Sequence, residues 1–221
     1  AAAYGSVSAV TFVAAVSFLE MQQISYGGHM VAVMALMESP AIVIGVVMMM
    51  MFGNESAKGV NWKSIIQHSF TNGSVVMILG SLIIGIIADT KQAEGIKPFT
   101  NDIFKGFLAI FLLEMGMVAA RRFSAFMKYG WFVSLFAIII PIINGCIVAY
   151  ISQFVTPDIG NRFILAILSA SASYIAVPAA MRIAAPEADP GLYIPMALGI
   201  TFPVNITIGI PLYFTIVNYF V

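Results

Sequence analysis

The sequence predicts an all-α integral membrane protein, and two observations support this prediction. Hydrophobic residues make up 61% of the 221 residues and charged residues only 9%, whereas soluble domains are about 25% charged. The mean hydropathy is +0.99. The apolar residues also form long uniform segments, without the alternation of a membrane barrel, so they favour membrane-spanning helices in a multi-pass bundle.

Seven apolar segments are separated by charged residues, glycine or proline. A spanning helix needs about 20 apolar residues, so most of these segments are long enough to cross a bilayer alone. The segments are Ala1–Leu19, His29–Phe52, Ser74–Ala88, Ile103–Ala120, Trp131–Phe154, Phe163–Ala185 and Leu192–Val221. Basic residues number six on the side of the 54–73 loop and four on the other side, which favours a cytoplasmic location for that loop.

The stretch Ser169–Tyr193 departs from the pattern of a simple apolar helix. Its serines at 169, 171 and 173 would point in opposing directions on a helix but to one side on extended backbone. Pro178 lacks an amide and leaves the carbonyl of Tyr174 free. Irregular backbone at membrane depth is tolerated only where it is buried in protein or lines a wet cavity. The stretch therefore predicts half of a substrate site in a secondary transporter.

The N-terminal part of the chain resembles this stretch. Ser6-Val7-Ser8 parallels Ser171-Ala172-Ser173, and a tyrosine and a proline follow each at a separation of 163 to 167 residues. Such a repeat is typical of transporters in which two inverted halves frame one site. We therefore expect residues 1–53 to be the last two helices of the first inverted repeat, 54–73 a cytoplasmic linker and 74–221 a second, five-helix repeat. Seven of about ten spans would be present, with an N-terminal truncation.

Several motifs together resemble the sodium-dependent bicarbonate transporters of cyanobacteria and their bacterial relatives. The N-terminal Gly5–Thr11 is similar to the G-x-V-S-G-S-T of that family, and Met37–Ala41 to its M-[DE]-x-P-A. Phe104–Met117 resembles its F-[KR]-G-L-L-x-x-x-x-L-x-M-G-M. Ser171–Arg182 resembles its S-S-S-D-x-S-x-P-x-x-x-R. The resemblance covers essentially the whole chain.

The resemblance implies an inverted-repeat transporter of about ten helices in a bacterial inner membrane, with two broken helices that cross near the midplane. The ends of those helices would hold sodium and a small, bicarbonate-like anion. It also implies a homo-oligomer, in the family often a trimer, and in some members a PII-like cytoplasmic regulator. Two positions depart from the family pattern, namely Tyr174 in place of an aspartate and Val10 in place of a serine. The first removes a charged oxygen ligand that a hard cation would prefer.

The candidate substrate and ion ligands are hydroxyl, amide and carboxyl side chains within apolar segments. They are Ser8, Thr11, Glu38, Ser171, Ser173, Tyr174 and Asn205, with Ser8 and Ser173 as candidate sodium ligands. Each also has a structural interpretation. Small hydroxyl residues let helices pack closely, an asparagine often bonds between helices, and a tyrosine can simply fill space. A carboxyl at mid-membrane is usually functional, so Glu38 could carry a coupling proton.

Three function classes follow from these residues. The first is sodium-coupled uptake of bicarbonate or a similar anion, and the second is proton- or sodium-coupled transport of another small solute such as a carboxylate. The third, an intramembrane enzyme, needs a nucleophile with a base or a set of metal ligands, and the sequence offers no such pair. We therefore expect no enzymatic activity and no cofactor apart from the coupling ion. The zero net charge excludes a nucleic-acid-binding footprint.

Overall fold

The computed structural model describes residues 2–37, 73–126, 130–174 and 189–220, and all regular structure in these ranges is helical. The helices are α1 (Ala2–Gly5), α2 (Ala9–Met21), α3 (residues 29–37), α4 (Gly73–Ile87), α5 (Thr90–Lys97), α6 (Phe104–Phe126), α7 (Trp131–Ile151), α8 (Ile159–Ala170), α9 (Pro190–Ile194), α10 (Phe202–Val204) and α11 (Ile210–Tyr219). Wider π turns cover Pro98–Ile103, Pro195–Thr201 and Asn205–Gly209, and a 3₁₀ turn covers Ser152–Phe154.

Three helical stretches among the described residues are long and apolar enough to cross a membrane. They are Ala3–Met21, Trp131–Phe154 and Gly191–Tyr219, and α8 is a shorter apolar helix. The predicted helical fold, with apolar helices of membrane-spanning length, is thus confirmed for the described residues, whereas the number of spans and the inverted repeat stay predictions. Helix α4 begins at Gly73, one residue inside the predicted linker, and the rest of that linker lies outside the described residues.

The main hydrophobic core lies where α2, α7, α8 and α11 meet. Its fully buried side chains include Leu19 from α2, Phe163 and Ile167 from α8, and Tyr213 from α11. The ring of Phe18 packs against Phe163 and Phe214 at centroid distances of 5.6 and 5.1 Å. Such aromatic contacts add about 0.5–1.5 kcal/mol each to the free energy of simple burial.

Two glycines allow close approach between these elements. A Cβ atom on Gly145 of α7 would overlap the ring of Tyr213, which fixes how near α11 can lie to α7. A Cβ atom on Gly160 of α8 would overlap the carbonyl oxygen of Ser25. The loop after α2 therefore rests directly on the first turn of α8.

That loop is held by hydrogen bonds at both of its ends. Helix α2 ends in a Schellman motif, because the Ile24 amide donates to the Leu19 carbonyl at 3.0 Å and Gln23 adopts a φ of 57°. Further along, the Gly27 amide donates to Oδ1 of Asn161 on α8 at 2.7 Å. Partial burial, with a smaller contribution from Glu20, raises the pKa of Tyr26 in the same loop, so its hydroxyl stays neutral at physiological pH.

A proline inside α7 creates a specific contact with the C-terminal helical stretch. Pro141 has no amide hydrogen, so the carbonyl of Ala137, four residues earlier, has no helical donor. The Thr201 hydroxyl donates to that carbonyl at 2.7 Å and lies 2.8 Å from the Tyr4 hydroxyl oxygen. One buried threonine thus joins α1, α7 and the π turn that contains it.

We predict that Thr201→Val destabilises the protein although the side chains have nearly the same shape. The change leaves the buried carbonyl of Ala137 and the hydroxyl of Tyr4 short of a partner, at a cost of about 1–3 kcal/mol. The measurement is the thermal unfolding midpoint in detergent. Thr207→Val is the matched control, because Thr207 is exposed and its hydroxyl bonds only its own helix, to the Pro203 carbonyl at 2.8 Å. Equal midpoints for the two variants would contradict the prediction.

Candidate functional site

The first interruption of helical structure lies at residues 6–8, between α1 and α2. Ser8 has an extended backbone, with φ −109° and ψ 114°, and acts as the N-cap of α2. Its Oγ accepts a hydrogen bond from the Thr11 amide at 3.2 Å, which satisfies one of the free amides of the first turn. The two candidate residues Ser8 and Thr11 are therefore parts of one capping structure.

The second interruption follows α8 and includes residues 171–174. The unwound backbone predicted for the serine stretch is confirmed at Ser171, which has φ −81° and ψ 162°. Ser169 differs from the prediction because it still belongs to α8. Its hydroxyl donates to the Ala166 carbonyl of the same helix at 2.7 Å and lies 3.4 Å from the Asn144 carbonyl oxygen of α7.

The two interruptions contact each other through hydrogen bonds in both directions. The Ser8 amide donates to Oγ of Ser171 at 3.0 Å, and the Ser173 amide donates to the Ala3 carbonyl at 2.8 Å. We call this region, residues 3–11 with 170–174, the crossing. Its polar residues Ser6, Ser8, Thr11, Ser171 and Ser173 are 1–4% exposed. Irregular backbone is thus enclosed by protein, as membrane depth requires.

The helix ends at the crossing have opposite polarity. Helix α2 begins there, so its first amides carry a partial positive charge, and α8 ends there, so its last carbonyls carry a partial negative charge. No described residue accepts a hydrogen bond from the amides of Ala9 or Val10. The helices contain 13 and 12 residues, or about 20 and 18 Å, so each is shorter than a hydrocarbon core of about 30 Å.

Two buried hydroxyls at the crossing have no hydrogen-bond partner among the described residues. They are Oγ of Ser6 and the hydroxyl of Tyr174. The Tyr174 hydroxyl faces Ser8, while its ring packs edge-on against Phe202 at a centroid distance of 5.9 Å. The ring therefore fills space beside Phe202, which is the structural interpretation of Tyr174, and its role as a ligand stays a prediction.

Asn205 lies beside the crossing and is fully buried. Its Nδ2 donates to the carbonyl of Ala170, the last residue of α8, at 2.7 Å, and its Oδ1 accepts from the Tyr213 hydroxyl at 3.1 Å. The same hydroxyl lies 3.3 Å from the Pro141 carbonyl oxygen. Both ends of the amide are occupied, so this geometry assigns Asn205 to interhelical bonding at the end of α8.

Three further observations limit which residues can be assigned to the site. Glu38 and Pro178 fall outside the described residues. Within the described ranges, no three histidine, cysteine, aspartate or glutamate side chains are grouped to hold a metal ion. A groove of about 280 Å³ beside the start of α2 has apolar lining residues, which are Ala9, Val10, Val13, Phe104, Phe107, Leu108 and Phe111. The groove therefore offers an apolar surface and no polar side chain among the residues that line it.

Ser6 is the residue that sequence reasoning did not place in the site. The signal was available, because Ser6 begins the first serine motif in the same way that Ser171 begins the second. The unpaired state of its hydroxyl could not be read from the sequence, because it depends on which donors α8 brings to the crossing.

A known protein family matches the chain in sequence. The model of the Na⁺-dependent bicarbonate transporter superfamily matches residues 1–218. The chain belongs to this superfamily. The resemblance noted from the motifs is thereby confirmed, and so is a membrane transporter as the general class. No curated protein matches the chain in sequence.

We predict that Asn205→Ala lowers stability by about 1–3 kcal/mol, because the carbonyl that ends α8 loses its donor in a buried place. The thermal unfolding midpoint in detergent measures this change. Asn218→Ala is the control, since Asn218 is exposed and its amide bonds only within α11, to the Phe214 carbonyl at 2.9 Å. A shift no larger than that of the control would show that the amide contributes nothing there.

Proposed function

We propose that the protein is a sodium-coupled symporter that takes up bicarbonate or a similar small anion, and that the crossing is its binding site. One observation carries the proposal. Two helix interruptions about 165 residues apart in sequence are hydrogen-bonded to each other and enclose buried serines between helix ends of opposite polarity. Broken helices of this kind form the midplane sites of secondary transporters.

The anion would bind at the beginning of α2. The amides of Ala9 and Val10 have no helical acceptor, and the partial positive charge of the helix start favours an anion. The Ser8 side chain holds the first turn in place through the Thr11 amide. Val10 stands where the family has a serine, so backbone amides carry more of the recognition in this chain.

The sodium ion would bind between the end of α8 and the two unpaired hydroxyls. Hard cations prefer oxygen ligands, and Ser6 and Tyr174 offer two buried oxygens without a described partner. Ser8 and Ser173 remain the further candidate ligands. Tyr174 is neutral where the family has a carboxylate, so we expect weaker sodium binding than an aspartate would give.

Charge balance explains why the two ions would travel together. Moving one anion into a cell with a negative interior costs about 2.3 kcal/mol per 100 mV. One accompanying sodium cancels this electrical cost, and the sodium concentration gradient then drives uptake. Alternating access in an inverted-repeat bundle, a homo-oligomer such as a trimer and a PII-like cytoplasmic regulator belong to the same proposal through the family resemblance.

The second candidate is proton- or sodium-coupled transport of another small solute such as a carboxylate. Tyr174 favours it, because the family carboxylate expected beside the sodium site is absent at this position. In that case Glu38 would be the proton-carrying group. The two candidates differ in whether uptake follows sodium or the pH gradient.

We predict that Ser8→Ala and Ser173→Ala each weaken bicarbonate uptake about tenfold without loss of assembly, since removing one hydrogen-bonding group costs about 1–1.5 kcal/mol. Uptake of radiolabelled bicarbonate by the full-length protein in liposomes measures the effect. Ser169→Ala is the control, because the Ser169 hydroxyl bonds the carbonyl of its own helix. Wild-type kinetics in both test variants would exclude the crossing as the site.

We also predict that Tyr174→Asp strengthens, and Tyr174→Phe weakens, the sodium dependence of the same uptake. A carboxylate adds a charged oxygen ligand, whereas phenylalanine removes the hydroxyl and keeps the ring that contacts Phe202. The measurement is the sodium concentration that gives half-maximal uptake. Uptake that ignores sodium and follows an imposed pH gradient would instead support the second candidate.

A further inference from the structure

Arg162 is a buried arginine near the start of α8, away from the crossing. It lies one turn into the helix, its side chain is 3% exposed, and its amide donates to the Asp158 carbonyl at 3.0 Å. Along the helix it is nine residues from Ser171, or about 14 Å at about 1.5 Å per residue. It was not among the candidate site residues predicted from the sequence.

The guanidinium of Arg162 uses only one of its edges. Nη1 donates to the Phe220 carbonyl at 3.4 Å, whereas Nε and Nη2 are buried and have no hydrogen-bond partner among the described residues. These two nitrogens lie on the same side of the planar group, so their hydrogens point in parallel. This edge matches the two oxygens of a carboxylate-like anion in a bidentate pair.

The carboxylate of the nearest acid in sequence does not hydrogen-bond to this guanidinium. Asp158 is the N-cap of α8, and its Oδ1 accepts from the Gly160 amide at 3.1 Å while its Oδ2 accepts from Nδ2 of Asn161 at 3.3 Å. Within the described ranges no carboxylate bonds to the Nε–Nη2 edge, and a buried charge without a partner is unfavourable, so this edge suits an anion. The partial positive charge at the start of α8 favours an anion at the same place.

We propose that the Nε–Nη2 edge of Arg162 is a second binding site, for a planar oxyanion of the bicarbonate or carboxylate class. The identity of the anion rests on the proposed function, whereas the site rests on the burial and the free donors of Arg162. A lipid headgroup is a poor occupant because the side chain is 3% exposed. The site lies at the loop end of α8, so an anion held there is one helix length from the crossing.

The test is equilibrium binding of radiolabelled bicarbonate to the full-length protein in detergent, with sodium present. We expect two equivalents bound per wild-type chain, one in Arg162→Lys and one in Ser173→Ala. Lysine keeps the charge but loses the parallel pair of donors. Arg121→Lys, at an exposed arginine of α6, is the matched control and should bind two equivalents. Formate should compete with bicarbonate at the Arg162 site because it is a planar oxyanion. Chloride at the same concentration should not compete.

The outcomes separate the two proposals. If the wild type binds one equivalent of bicarbonate and Ser173→Ala binds none, the Arg162 site is overturned and the crossing remains supported. Two equivalents in Arg162→Lys, or competition by chloride as strong as that by formate, also overturn it. Loss of one equivalent in Arg162→Lys but none in Ser173→Ala supports the Arg162 site and refutes the crossing. If Arg162→Lys does not fold, the number of equivalents bound by the wild type and by Ser173→Ala still shows whether the chain has one site or two.

Discussion

The described structure depends on the need to pair the backbone polar groups that a helix interruption releases in an apolar setting. Water cannot do this in hydrocarbon, and each unpaired group would cost several kcal/mol. At the crossing, the amides of Ser8 and Ser173 find acceptors on Ser171 and Ala3. Each interruption is therefore stable only in the presence of the other, so α2 and α8 have to approach one another with their interrupted ends together.

The same requirement sets the contacts around the crossing. Pro141 frees the carbonyl of Ala137, and the end of α8 frees the carbonyl of Ala170. The donors come from Thr201 and Asn205, both on the C-terminal helical stretch. That stretch contains π turns next to its prolines, and each π turn adds a residue that changes which side chains face α7 and α8. The irregular parts of the helices thus determine how the helices pack.

The sequence predicted the class, the family and the two interruptions, because each has a local signal. A high mean hydropathy indicates a membrane protein. Serines two residues apart within an apolar segment indicate backbone that is no longer helical. The partners of freed groups could not be predicted, since the choice of Asn205 for Ala170 depends on long-range packing. For the same reason the sequence did not predict that Arg162 is buried, although it is 3% exposed. A charged residue that is buried just after a polar turn produces no periodic pattern in the sequence from which its burial could be predicted.

The distribution of unpaired side chains gives these observations a functional meaning. Freed carbonyls in the described part of the chain are met by side-chain donors, yet three buried residues there keep polar atoms without partners, namely Ser6, Tyr174 and Arg162. Two are oxygens at the crossing, and the third carries two parallel donors about 14 Å away along α8. Oxygens suit a cation and parallel N–H groups suit a planar anion. Apart from the first amides of α2, the released backbone groups described above are paired, so unpaired side-chain donors and acceptors of these two kinds are where we expect ions to bind.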